Sequence, residues 1–307
     1  MNRKLIEILQ LPESFRVPIL GGLWYKFLTK CDNNAIKKAK IKQPALNACS
    51  RDIYITASLT SFPARINYVY LAIKSLLLQS VKPDKLILWL AEEQFPNKVL
   101  PKELLQLTEY GLEIKWCEDL YGHKKYYYCI KDQKPNEVVI TFDDDIIYPI
   151  DCIKRLIKQH KRFPNCIICE RAQSIDYEKS GTIKNPGKWK VISNVGVKSP
   201  SYSLNPSPGG GCLIPYNAFY KDAIIKDKIY KLAYKNDDLW YMFMAAQQGT
   251  KIIKTKKYHK LFSLILGSQT TQMATENVIK NKNLQIMALL KESYPVAYNR
   301  IINDTDN

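Results

Sequence analysis

Two periods take turns along the chain from Arg51 onward. DIYITASLTSF is β-branched and apolar and ends in small polar residues. After Pro63, ARINYVYLAIKSLLLQS places apolar residues at helical spacing. KPDKLILWLAEE, opened by a Pro-Asp turn, predicts a second strand, and KELLQLTEYG a short helix closed by Gly111. LEIKWCEDL predicts a third strand and HKKYYYCIKDQ a helix, with a turn at Pro135-Asn136. EVVITFDDDIIYP is a fourth strand, apolar on both faces until it meets three acids, and DCIKRLIKQHKRF is another helix.

Strand and helix thus alternate four times. This predicts an α/β fold, a doubly wound and mostly parallel central sheet with helices on both faces. Such sheets bind ligands beyond the carboxyl ends of their strands. Ser58 to Phe62, Glu92, Glu118, Asp119 and Asp143 to Asp145 fall at such ends and are expected to share one crevice. Residues 181–211 are rich in Gly, Pro, Ser and Asn and predict long loops. NDDLWYMFMAAQQG predicts a helix with polar caps and a closing Gly249. The division expected is a helical N-terminal extension at 1–50, a central domain at 51–275 with halves meeting at 150, and a C-terminal helix with a frayed tail at 276–307.

Composition narrows the picture. At 46% hydrophobic and 20 Tyr in 307 residues, the chain has the material for a packed core. The formal charge of +17, mostly from lysine, suits nucleic acid, an anionic membrane surface or phosphate-bearing small molecules, or else a solvated surface. The eight cysteines lie mostly in apolar runs with no leader-like segment before them, so they are expected to be reduced and the protein cytoplasmic. Cys166-Ile-Ile-Cys169 has half the spacing of a zinc knuckle but reads as a buried strand. No apolar run is long enough to span a bilayer. The stretch Phe15 to Leu28, with Trp24 and Tyr25 beside Lys26 and Lys30, suggests a second setting, peripheral on the inner face of the cytoplasmic membrane.

Asp143-Asp144-Asp145 calls for a chemical explanation. Crowded like charges raise one another's pKa, and a divalent cation with oxygen ligands removes the conflict. If the strand continues through the acids, Asp143 and Asp145 point to one side and Asp144 to the other. The expected cofactor is Mn²⁺ or Mg²⁺.

These segments, ITASLTSFPARI, LILWLAEE, WCEDLYGHKKYYY and VVITFDDDIIYP, resemble the nucleotide-binding half of GT-A-fold glycosyltransferases. Within these the chain is similar to bacterial family-2-like enzymes that build capsule or O-antigen polysaccharide. The resemblance is strongest over 53–150 and extends loosely through GGG and NDDLW to about 250. It implies a Rossmann-like GT-A fold with helical N- and C-terminal appendages. Residues 51–150 would form the nucleotide-sugar-binding half and 151–275 the acceptor half. Thr60, Ser61 and Phe62 would lie along the base and Arg65 would reach a phosphate. Glu92, or alternatively Asp119, would accept from a uracil N–H. Lys124 or Lys125, rather than His123, would meet the diphosphate beside a helix N-terminus. Gly209, Gly210 and Gly211 would lie beneath the donor sugar. Asp145 and Asp143 would hold the metal, with a late histidine, His259, as a further ligand. Asp238, with Asp237 second, would be the base that deprotonates an acceptor hydroxyl, and Trp240 would stack on a sugar ring.

The function expected on this basis is metal-dependent, inverting transfer from a nucleotide-diphosphate sugar, UDP-linked by resemblance, to a saccharide or lipid-linked acceptor. Two alternatives stand beside it. A sugar-nucleotide nucleotidyltransferase would share the sheet and the acids, but usually opens with a Gly-rich basic loop where this chain has TSFPAR. A basic nucleic-acid-binding protein would use the Lys124-Lys125-Tyr126-Tyr127-Tyr128 run.

Overall fold

The computed structural model describes residues 18–178, 183–186, 189, 199–255, 262–270 and 282–304. In chain order these form α1 (Pro18–Lys38), β1 (Tyr54–Thr60), α2 (Val69–Leu77), β2 (Lys85–Ala91), α3 (Lys102–Leu105), β3 (Leu112–Cys117), α4 (Lys124–Lys131), β4 (Glu137–Phe142), β5 (Ile146–Ile147) and α5 (Cys152–His160). They continue with β6 (Ile167–Cys169), β7 (Ala172–Ser174), β8 (Leu204–Pro206), β9 (Gly210–Ile214), α6 (Lys226–Leu232), α7 (Asp237–Gln248), β10 (Ile252–Lys254), β11 (Ser263–Leu264), α8 (Lys282–Ser293) and α9 (Pro295–Ile302).

Leu86, Leu88 and Leu90 of β2 sit in one apolar core, and Ile87 and Trp89 of the same strand sit in another. Side chains alternate across a strand, so an unbroken apolar run needs cover on both faces. On one face that cover includes Leu71, Ile73 and Leu76 of α2 and Ile153 and Leu156 of α5. On the other it includes Tyr126 of α4, Trp240 to Ala246 of α7, and Leu290 and Ile301 of the last two helices.

The main sheet has seven strands in the order β10-β6-β9-β4-β1-β2-β3. β1 pairs in parallel with β2 and β4, as do β2 with β3 and β10 with β6. β9 runs backwards and is antiparallel to both β4 and β6. The expected Rossmann-like, mostly parallel sheet is therefore present, with one reversed strand inside it. Reversal brings the beginning of β9 to the rim where β1, β2, β3, β4 and β6 end, so the glycines that open β9 join the loops at that rim.

α1 is anchored on one side. The Asn33 side chain donates to the Leu264 carbonyl (2.9 Å) and accepts from the Leu266 N–H (3.0 Å), and the Tyr25 hydroxyl donates to the Phe262 carbonyl (3.0 Å). Among the described residues no helix is long and apolar enough to cross a membrane. The eight cysteines are free thiols, and Cys169 lies in β6 within the sheet.

Asp304, two residues beyond α9, accepts from the Ser201 hydroxyl (2.7 Å) and the Ser203 N–H (3.2 Å). The last three residues of the tail lie outside the described residues.

Candidate functional site

β4 ends at Phe142, and the three acids that follow lie in a turn. The alternation expected of an extended strand therefore fails, and each carboxylate takes its own direction. Asp144 turns inward, accepting from Ser61 Oγ (2.5 Å) and Arg65 Nη1 (2.8 Å). Asp145 shares that guanidinium at 3.0 Å and accepts from Gln269 Nε2 at 3.1 Å. Asp143 accepts from Lys125 Nζ at 2.7 Å, and the same ammonium lies 3.0 Å from Asp237 Oδ2. Asp237 Oδ2 makes this ion pair without a hydrogen bond. The rim is thus a chain of alternating charge from Arg65 through the acids to Lys125 and the start of α7.

Burial sets the electrostatics. It pushes the Asp144 carboxyl up to about 6, with Arg65 pulling against it. Asp145 is also raised, first by burial and then by the charge of Asp143. Lys125 is only 5% exposed; burial opposes its charge, but Asp143 and Asp237 outweigh that and hold it protonated. At the head of α7, burial and the neighbouring Asp237 push Asp238 up to about 8, whereas at Asp237 burial is outweighed only by Lys125 together with the other groups and hydrogen bonds around it, which hold it low. The pair shares one proton through the neutral range. Asp238 is the member of the pair that holds the proton more tightly, and Asp237 is the ionised member paired with Lys125.

Asn236 opens α7, its side chain accepting from the Leu239 N–H at 2.9 Å, so both acids are released from capping and free to face the rim. Gly122 is needed opposite them, because a Cβ there would stand 2.8 Å from the Asp237 carboxylate.

Several expected residues are elsewhere. Trp240 is fully buried, edge-on to Tyr294 at 5.9 Å, and has no face for a sugar. Its apolar ring completes the core beneath α7. Glu92 is exposed and pairs with Lys98 at 2.8 Å. Lys124 is buried against Asp119, which also accepts from Gln94 (2.7 Å) and the Tyr121 N–H (2.9 Å). Lys124 and Asp119 therefore neutralise each other away from the three acids. Thr60 donates to the Trp89 carbonyl at 2.8 Å, and Phe62 lies under the Arg65 guanidinium at 5.5 Å. His123 is enclosed, its Nε2 2.9 Å from the Ala233 carbonyl and its Nδ1 2.8 Å from the Tyr126 hydroxyl. His259 lies outside the described residues.

The three glycines divide. Gly209 packs on the Asp143 carboxylate, Gly210 on the stem of Arg171, and Gly211, at φ +89°, forms the irregularity where β9 shifts register against β4. Arg171, Gln269 and Tyr148 were not singled out in the sequence. The Asp143 N–H meets the Tyr148 hydroxyl at 2.7 Å. Arg171 lies two residues beyond the end of β6, and the strand-end reasoning applied to Asp119, two residues beyond β3, would have found it. Gln269 carried no local signal.

Asp143 and Asp145 are the carboxylates that would hold a divalent ion. Their charges act on each other, and the Asp143 side chain is 38% exposed. Among the described residues no third acid, histidine or cysteine joins them as a cage, so phosphate oxygens and water would complete the sphere.

No protein-family model matches the sequence, and no curated protein matches it. The solved structure of 4-diphosphocytidyl-2C-methyl-D-erythritol synthase from Anaerococcus prevotii DSM 20548 is similar over 76% of this chain and 97% of that one, with a TM-score of 0.43 and 12% identity. The expectation of a glycosyltransferase is corrected here: the solved structure that the chain matches is that of a diphosphocytidyl synthase. What this chain does rests on its own residues.

Proposed function

We propose that the chain is a nucleotidyltransferase that joins the nucleotidyl group of a nucleoside triphosphate to a phosphorylated acceptor and releases pyrophosphate. The observation that carries this reading is Arg65. TSFPAR is not a glycine-rich basic loop, yet it delivers a guanidinium from the end of β1 to within 3.0 Å of two acids of the cluster. A cation there, facing Lys125 across Asp143 and Asp145, forms a two-sided clamp for a polyphosphate.

In this mechanism the acceptor oxygen attacks the α-phosphorus, and the bond from that phosphorus to the bridging oxygen breaks. Arg65 and Lys125 stabilise the charge that develops on the α-phosphate and on the departing pyrophosphate. Both cations are already positioned by carboxylates, so little reorganisation is needed when phosphate oxygens displace those partners. Ser61 fixes Asp144, and Asp144 fixes Arg65. The Asp237–Asp238 pair is where the rim holds or moves a proton. A divalent ion bound by Asp143 and Asp145 would supply Lewis-acid neutralisation of the phosphates.

Incubation of the full chain with nucleoside triphosphates, Mg²⁺ and a panel of sugar 1-phosphates tests the reading. Pyrophosphate released in step with a new nucleotide-linked product is expected. Release of nucleoside diphosphate from a nucleotide sugar, with no pyrophosphate from any triphosphate, would overturn it.

A further inference from the structure

Arg65, Lys125 and Lys124 at the rim each hold a carboxylate within the protein. Arg171 does not. Among the described residues its guanidinium makes no ion pair and no hydrogen bond, although its backbone is fixed by the Ser207 N–H donating to its carbonyl at 3.0 Å. The stem lies flat on Gly210, where a Cβ would come within 3.2 Å of its Cβ and Cδ. The head stands 5.8 Å from the Phe262 ring. Phe262 packs on Tyr148 at 5.7 Å, and Tyr148 meets the Asp143 N–H. The Arg171 stem thus lies on Gly210, next in the chain to Gly209, on which the Asp143 carboxylate packs, so Arg171 borders the acid cluster.

We propose that Arg171 is an anion fork that takes two oxygens of the phosphate on the second substrate. A planar guanidinium matches phosphate in two places at once, and a cation with no ion-pair or hydrogen-bond partner among the described residues has its donors available for it. The direction of its field agrees, since Arg171 favours the ionised form of Asp238 across the rim. Glycine at 210 is then explained as the floor that lets the stem lie down. The assignment of that phosphate to the acceptor, and not to the triphosphate, rests on the nucleotidyl-transfer reading.

The test is calorimetric titration of the full chain, as wild type, Arg171→Ala and Arg171→Lys, with inorganic phosphate and separately with CTP and UTP in Mg²⁺. Inorganic phosphate should bind about tenfold more weakly or worse to Arg171→Ala. Arg171→Lys should recover only part, because an ammonium cannot fork. The triphosphate that binds wild type should bind all three proteins alike. Unchanged phosphate affinity in an Arg171→Ala protein with wild-type circular dichroism overturns the fork. So does equal weakening of phosphate and triphosphate, or the absence of phosphate binding to wild type. Loss of phosphate binding in Arg171→Ala, with no pyrophosphate release by wild type from any triphosphate, leaves the fork standing and rejects nucleotidyl transfer.

Discussion

Gly209 and Asp143 share a space that admits no side chain on the glycine: a Cβ there would fall 1.6 Å from Asp143 Oδ2. The loop before β9 thus fixes where the first acid of the cluster can sit. Gly209→Ala can be accommodated only by swinging that carboxylate, which pulls it off Lys125. The fold should survive, because the atom in the way is the end of a side chain. Turnover should fall by about two orders of magnitude, comparable to losing one charge-stabilising group. Steady-state pyrophosphate release, with the unfolding midpoint as control, measures both.

Lys125 separates Asp143 from Asp237. Lys125→Met keeps the stem and deletes the charge, leaving two carboxylates facing each other. Removing one partner of a buried pair costs roughly 3 kcal/mol or more, and this case should fall at the low end because Asp143 can rehydrate. Urea unfolding should show the loss. A midpoint equal to wild type would mean that the acids pair elsewhere.

Trp240 is a core residue in this fold. Trp240→Ala should destabilise the protein by about 3–5 kcal/mol. Trp240→Phe, which keeps an aromatic core residue, should lose less and bind ligands as wild type does. A selective rise in acceptor KM for Trp240→Phe would return the indole to the site.

His123 predicts an acid limit to stability. The Ala233 carbonyl can only accept, so Nε2 carries the hydrogen and Nδ1 accepts from Tyr126: the neutral ring satisfies both partners. Burial holds its pKa below the usual 6.5, with Asp237 pulling upward and Lys125 and Lys124 downward. A folded pKa below the unfolded one means that the unfolded chain binds the extra proton more readily. The contribution is complete above pH 6.5 and is lost as pH falls from there toward the folded value. Thermal unfolding should show a decline below pH 6.5 that His123→Gln flattens. An equally steep decline in that variant would place the proton elsewhere.

Removal of divalent ions by a chelator should abolish transfer, with recovery on adding Mg²⁺ or Mn²⁺. Asp145→Asn should weaken the ion's effect without unfolding the chain, because Gln269 and Arg65 can still hold an amide. Full activity in chelator would remove the metal from the mechanism.

The alternation of strand and helix from β1 to α5 was legible because each strand has a long apolar run with a turn signal on either side. The acids at the end of β4 and at the head of α7 were legible as well, since charges beside apolar runs stand out. Their partners were not. Lys124 and Lys125 are adjacent in sequence, yet one is buried on Asp119 and the other on Asp143. Only the helical turn that starts α4 decides which. Glu92 and Asp119 follow neighbouring strands, but a short helical turn lifts Glu92 into solvent. β9 was hidden in a glycine-rich stretch that reads as loop. Its reversal depends on pairing with strands distant in sequence, and local propensity carries no information about that.

The chain leaves the sheet at Cys169 and re-enters it at Gly210, and a reversed strand puts both points on the same border. The described residues between those points are anchored as well: Ile175, Trp189 and Leu204 pack into the core around α7, and Ser201 exchanges two backbone hydrogen bonds with Ile252 of β10. Evolutionary rewriting of that segment must therefore keep these anchors along with the residues at its two landings, Arg171 and Gly209.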